Sequence, residues 1–295
     1  MQITRRIVSA ALLALIFSCS GTIDSEEQGG TSGNGQGGEG SVTELSSGYL
    51  QQMVAMQFTS VGCVNCPVLA LSIKNIQKNM PGIIIPVAFH LDYEITDPMT
   101  LSINKKFYDK VDLIRDGSPG LPMFALNFRQ SSKHIINEYA KIESEIEYQA
   151  AKYPAVCGVA IDTEYAPASH TVAVKARFKS DVAASYRYHI FLIEDGISYV
   201  QAGDETGDYV HDNVLRAMTG DDVRGARLNS GNALEVDKEY VVEKTLTVAG
   251  EWNADNLKVM AAMLKEDSST EWGSYNANVC KAGTSVDYLY VEKDE

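Results

Sequence analysis

The chain has 295 residues, 45% of them apolar, with 25 lysines and arginines against 39 aspartates and glutamates and a formal charge of −14. An acidic surface repels phosphate backbones and anionic headgroups, which argues against nucleic acid and against direct docking on a charged bilayer. After the first residues no apolar run reaches the length of a membrane span, so a soluble body is expected.

Residues 1–19 read as an export signal. Arg5 and Arg6 form a basic start, and Ile7 to Phe17 is an apolar run too short to cross a bilayer. The run ends in Ile16-Phe17-Ser18-Cys19, which resembles a bacterial lipobox and makes Cys19 the candidate lipidation site. Diacylation with N-acylation would anchor the chain stably in a membrane. Loss of the two arginines with the signal leaves a charge of −16. Residues 20–45 follow as a tether, glycine-rich from Gln28 to Ser41, with a coil reach of roughly 30 Å. The remaining length suits two domains, at residues 46–154 and 155–295.

Five cysteines are an awkward number for an exported chain. Lipidation of Cys19 leaves Cys63 with Cys66 and Cys157 with Cys280. In an oxidising compartment the second pair reads as a structural disulfide, worth about 4–5 kcal/mol for so long a loop.

In the first domain, Met53 to Phe58 is an apolar strand, and Gly62-Cys63-Val64-Asn65-Cys66-Pro67 stands where it gives way to a helix. Two thiols at this spacing can form a redox pair, hold a metal or staple a turn, and a helix start favours a thiolate. Pro67 suits a first helical turn, Leu69, Ile73, Ile76 and Met80 follow at helical spacing, and Pro81-Gly82 stops the helix. Ile83 to Leu91 is a strand buried on both faces. Asp97-Pro98 opens a helix carrying Ile103, Phe107 and Val111, Gly120-Leu121-Pro122 leads into a strand through Asn127, and Glu138 to Tyr153 is a last helix. Alternating strands and helices imply a largely parallel sheet with its chemistry at the carboxyl ends of the strands. His90 lies near that rim, either supporting a thiolate or as a satisfied core histidine. No further His or Cys lies close in sequence, so no metal site and no cofactor is expected.

Cys63-Val64-Asn65-Cys66-Pro67 at a strand-to-helix turn, with Gly120-Leu121-Pro122 ahead of a later strand, resembles the thioredoxin-like fold. The resemblance implies that Cys63, Cys66 and Pro122 form the catalytic set, with Pro122 a cis-proline against the redox pair. The chain departs from that pattern in having Gly62 for an aromatic residue and Val64-Asn65 for Gly-Pro.

In the second domain the period changes to two. Thr171 to Lys179 alternates with Val172, Val174, Ala176 and Phe178 on one face. Val156–Asp162, Arg187–Ile193, Tyr240–Val248, Leu257–Leu264 and Val286–Val291 are further strands. Their number and spacing predict an all-β, immunoglobulin-like sandwich. Gln201 to Asp222 does not fit a plain sandwich. His211, Asn213 and Arg216 in it are candidate ligand-binding residues, against a reading of the segment as solvated surface.

Leu192-Ile-Glu194-Asp195-Gly196, Gln201, the run Tyr209 to Arg216, and Trp252-Asn253 with Asn256-Leu257 resemble the outer-membrane lipoprotein family of the 28-kilodalton type found in Bacteroidetes. The resemblance covers nearly the whole mature chain. It implies a lipid-anchored outer-membrane protein, facing the periplasm or the cell surface, with a thioredoxin-like and a sandwich domain. It implies no settled activity.

Two functions remain open. In one, a thiol–disulfide oxidoreductase, Cys63 attacks a disulfide of a protein partner as thiolate and Cys66 resolves the mixed disulfide. In the other, a redox-inert binding or adhesion lipoprotein takes a surface ligand and Cys63–Cys66 is a permanent staple. No Ser-His-Asp set, phosphate loop or metal quartet supports a hydrolytic class.

Overall fold

The computed structural model describes residues 48–111, 120–129, 138–204, 206–207, 209–268 and 271–291. Cys19 and the tether lie outside the described residues. The protein is a mixed α/β, sheet-rich chain with three α-helices among the described residues: α1 (Cys66–Asn79), α2 (Ser102–Val111) and α3 (Tyr139–Lys152). No described helix is long and apolar enough to cross a membrane.

Strand β1 (Met53–Thr59) and strand β2 (Ile84–His90) are apolar runs that pair in parallel, from Met53 beside Ile84 to Thr59 beside His90. Their side chains alternate between two helical layers. Met53, Ala55 and Ile84 face Leu69, Ile73 and Ile76 of α1 and Ile142 and Ile146 of α3. Val54, Met56, Phe58, Val87 and Phe89 face Ile103, Phe107 and Tyr108 of α2. Burial on both sides explains the near-continuous apolar sequence of the two strands.

Strand β3 (Met123–Leu126) pairs with β1 antiparallel, from Ala55–Leu126 to Phe58–Met123. This corrects the expectation of a largely parallel sheet. The chain re-enters the sheet at the rim where β1 ends, so β3 must run back along it. The helix expected from Asp97 begins at Ser102. Asp97 instead closes a turn, its Oδ1 accepting the Met99 N–H and its carbonyl the Thr100 N–H.

The later strands are β4 (Cys157–Ala166), β5 (Thr171–Ser180), β6 (Tyr186–Glu194), β7 (Ile197–Ser198), β8 (Val210–His211), β9 (Val214–Met218), β10 (Ala226–Arg227), β11 (Tyr240–Thr247), β12 (Leu257–Glu266), β13 (Trp272–Lys281) and β14 (Ser285–Val286). One sheet runs β13-β12-β6-β9-β2-β1-β3, with β10 beside β6; a second runs β11-β5-β4-β14. The first carries strands from both sides of residues 154/155, joined where Val214 of β9 lies parallel to Ala88 of β2 and the Ala88 N–H donates to the Asn213 carbonyl at 2.7 Å. The apolar layer under α2 likewise draws on both halves, from Val54 to Ala277. The two sheets share a second core, in which Val159, Ile161, Val174 and Phe178 meet Ile190, Leu192, Val259 and Met263.

The ten-residue strand β13 is not legible in the sequence, because the positions it turns toward β4 are polar. Ser274, Asn276 and Asn278 are all buried. The Asn276 amide donates to the carbonyls of Cys157 (2.8 Å) and Leu50 (3.2 Å) and accepts from the Gln52 N–H (2.8 Å). The Asn278 amide donates to the carbonyls of Val159 and Asp287. The strand expected over Val286–Val291 shortens to β14, because the residues after it pair with the start of the fold. Tyr290 bridges Tyr49, the Leu50 N–H donates to the Leu289 carbonyl, and the Val291 N–H donates to the Gly48 carbonyl.

The expected Cys157–Cys280 disulfide is absent; both thiols are free and buried. The asparagine bonds show why. With Asn276 level with Cys157 and Asn278 level with Val159, Cys280 stands four residues further along β4, about 13 Å from Cys157 at strand rise. A disulfide requires Cα atoms within about 7 Å. Burial pushes both thiols up, away from the reactive thiolate.

Two stability predictions follow from these cores. Replacing Asn276 with alanine strands buried carbonyls and an N–H, and should lower the unfolding free energy in urea by at least about 2 kcal/mol. The same change at exposed Asn232 should be near neutral. His189, packed among Phe107, Phe128 and Phe191 with Nε2 donating to the Val223 carbonyl, has its pKa pushed down to about 4 by burial. The unfolded chain therefore binds the extra proton. Its contribution is complete above a pH of about 6.5 and is lost as pH falls toward 4, a drop of about 2 kcal/mol between about pH 8 and pH 5. A His189→Phe variant should lose this part of the pH dependence of urea unfolding.

Candidate functional site

The turn from β1 into α1 is tight. The Cys63 N–H donates to the Ser60 carbonyl at 3.1 Å and the Cys66 N–H to the Cys63 carbonyl at 3.2 Å. Cys63 and Cys66 are joined by a disulfide. The pair sits at the carboxyl end of β1 and the N-terminus of α1, where Pro67 occupies the first turn. Pro122 lies one residue beyond the Phe58–Met123 pair, at the same rim, and its peptide bond with Leu121 is cis. Gly62 stands where an aromatic residue would be expected for a structural reason. A Cβ there would lie 2.5 Å from the Tyr93 carbonyl oxygen and 3.0 Å from Ile95.

Cys63 is only 3% exposed and Cys66 1%. A strap over residues 199–203 covers them. Gln201 donates its amide to the carbonyls of Cys63 (2.9 Å) and Ser60 (3.2 Å), and the Ala202 N–H donates to the Val61 carbonyl (2.8 Å). Gly203, at φ +83°, lies so close to Val64 that a Cβ would meet its carbonyl oxygen at 2.7 Å. Strands β7 and β8 pair at the base of this strap, Ile197 with His211 and Ser198 with Val210.

Beneath the turn lies a buried polar cluster. His90, the last residue of β2, places Nδ1 2.7 Å from Asp97 Oδ2, which also accepts the Val61 N–H at 2.9 Å. Burial alone would raise the Asp97 carboxyl; the hydrogen bond and charge of His90, with the Met99 and Val61 N–H groups, hold it below its usual range. His211 stacks edge-on against His90, ring centres 5.2 Å apart, and against Tyr209 at 4.7 Å. Burial, with His90 beside it, lowers the His211 pKa to about 4. The Asp97 carboxylate, through the Val61 N–H, thus supports the backbone that leads to the disulfide.

The three ligand-binding candidates of the second half do not converge. Only His211 joins the cluster near the disulfide. Asn213, at φ +61°, accepts at Oδ1 from Lys258 Nζ and donates its backbone N–H to Asp195 Oδ1. Arg216 pairs with Glu194 at 3.1 Å and lies over the Trp252 ring. Nothing in the sequence marks Asp97 as the partner of His90, since Asp97-Pro98 has the pattern of a helix cap. Gln201 stood out only within the family resemblance, since one amide in a polar segment carries no signal of its own. Among the described residues no group of His, Cys, Asp and Glu side chains is arranged to hold a metal ion.

Solved structures of similar fold include HBP35 of Porphyromonas gingivalis, with a TM-score of 0.64 and 17% identity over 83% of this chain and 81% of that one. Protein AGR_C_4864 from Agrobacterium tumefaciens is similar at a TM-score of 0.53 and 12% identity, over 82% of this chain and 96% of that one. At such identities the likeness speaks to the fold alone. No curated protein matches the chain. Residues 115–284, more than half of the sequence, match the family of outer membrane protein Omp28. That stretch includes β4 to β13 with the strap over the disulfide, and the chain belongs to the Omp28 family of outer membrane proteins.

Proposed function

We propose that this is an exported lipoprotein, anchored in the outer membrane through Cys19, whose first half is thioredoxin-like and performs thiol–disulfide exchange at Cys63–Cys66. The strands of the second half, which face one another across the core shared by the two sheets, are then an immunoglobulin-like sandwich that supports the strap. The observation that carries this reading is the closed disulfide at the helix N-terminus, backed by the buried Asp97–His90 pair.

In the direction set by the closed pair, a thiolate of a partner dithiol attacks Cys63 Sγ. The Cys63–Cys66 bond breaks and its electron pair leaves on Cys66. The partner's second thiolate then attacks its own sulfur in the mixed disulfide and expels Cys63. Two electrons pass to the pair, the partner becomes a disulfide, and the partner's two protons end on Cys63 and Cys66 or in solvent. The helix N-terminus stabilises the Cys63 thiolate in either direction. Access is the constraint, because attack needs a line of approach to Cys63 Sγ, Cys63 is 3% exposed, and the strap is bonded to the backbone of its turn.

That burial favours a second reading, in which the disulfide is a staple in a redox-inert binding lipoprotein. The reduction potential separates the two. Exchange predicts a value above about −300 mV and reduction of insulin that a Cys63→Ser variant abolishes; a lower potential with no turnover means a staple. Exchange also predicts that the strap limits the rate. Loss of buried hydrogen bonds worth about 1 kcal/mol in a Gln201→Ala variant should speed reduction by dithiothreitol about five- to tenfold with the fold intact. An unchanged rate would remove the strap from the reaction.

A further inference from the structure

Large apolar side chains are exposed around the covered disulfide. Val64, between the two cysteines, is 63% exposed, and Val68 and Leu71 continue its stripe along α1 at 56% and 59%. On one side Ile95, against Gly62, is 52% exposed; on the other Val200, in the strap, is 61% exposed. The Gly62–Ile95 and Val64–Gly203 contacts set Ile95 and the end of the strap that carries Val200 on the cysteine turn, beside this stripe. An apolar patch of this kind on a soluble body marks a binding site more often than chance exposure.

The margin of the patch is acidic. Asp92 and Glu94 flank Tyr93 beside Ile95, Asp204 follows Gly203, and Asp212 follows His211. Asp92, Asp204 and Asp212 accept hydrogen bonds from backbone N–H groups, and Asp204 also from the Thr206 hydroxyl. None of the four carboxylates is paired with a lysine or arginine among the described residues. Lys74 stands a turn beyond Leu71, at the far end of the stripe.

We propose that this surface docks an extended polypeptide segment of a partner protein whose apolar side chains are flanked by lysine or arginine. The apolar stripe takes the side chains, and the uncompensated carboxylates favour cationic flanks and reject acidic ones. The same charges disfavour an anionic lipid surface as the occupant. A segment seated here lies on Val200 and so on the strap itself. The link to Cys63 rests on the exchange reading, whereas the docking does not.

The test uses the full-length mature protein and fluorescent peptides with a Val-Leu-Phe-rich centre, serine in place of cysteine, and either lysine or glutamate flanks. Fluorescence anisotropy should show the lysine peptide binding at least about tenfold more tightly, with affinity falling as salt rises. A double Val68→Ser, Leu71→Ser variant, both positions being exposed, should weaken binding about tenfold. An Asp92→Asn, Glu94→Gln variant should lose much of the preference for lysine. Equal binding of the two peptides, or adsorption of the protein to phosphatidylcholine vesicles in place of peptide binding, would overturn the proposal. Serine peptides form no disulfide, so their binding reports docking alone. Trapping of a cysteine-containing peptide by a Cys66→Ser variant reports on exchange separately.

Discussion

The fold depends on two side-chain amides. Asn276 and Asn278 reach from β13 to the carbonyls of β4, and Asn276 also holds the backbone on either side of Gln51 as the chain approaches β1. Three pieces that share no backbone ladder (the edge of the long sheet, the middle of the second sheet and the start of the first strand) are thereby fixed in one register. Apolar packing alone would tolerate sliding of one sheet over the other, because it is non-directional. Hydrogen bonds to buried carbonyls do not tolerate it, since each slip leaves polar groups unpaired. The same register keeps Cys157 and Cys280 apart.

The functional end is built by a comparable join. The long sheet passes from β2 to β9 through one residue pair, and the segment ahead of β9 supplies His211 and the strap. Residues far apart in sequence therefore close over a disulfide whose own turn is short. The strap's hold on the turn is made of amide-to-carbonyl bonds and a glycine contact. It is accordingly a weaker element than the cores on either side of the sheet, and openings of such elements cost less than global unfolding.

The sequence made the elements of the first half legible because their periodicities are unmixed. The runs of β1 and β2 are mostly apolar, α1 has a proline in its first turn and stops ahead of Pro81-Gly82, and the structure agrees to within a residue or two. The turn carrying Cys63 and Cys66 was equally plain. What stayed hidden depends on partners distant in sequence. Strand β13 looked irregular because its buried face is asparagine and serine, whose burial is tolerable only once β4 is in place. The direction of β3 depends on where the chain re-enters the sheet, not on its residues. The turn that holds Cys63 is bonded by Gln201, some 140 residues away, and no local pattern announces that strap.

The ends of the described chain lie side by side. Tyr49 and Tyr290 stack at 5.2 Å, and backbone bonds join Leu50 to Leu289 and Val291 to Gly48. A mechanical load arriving along the polypeptide ahead of Gly48 would meet this clasp before it met β1. The clasp couples that load into the C-terminal segment, which is in turn tied to β13 through Asn278 and the Asp287 carbonyl. Tension would thus be shared between the two edges of the molecule. The strand that leads to the disulfide would be shielded from being peeled away alone.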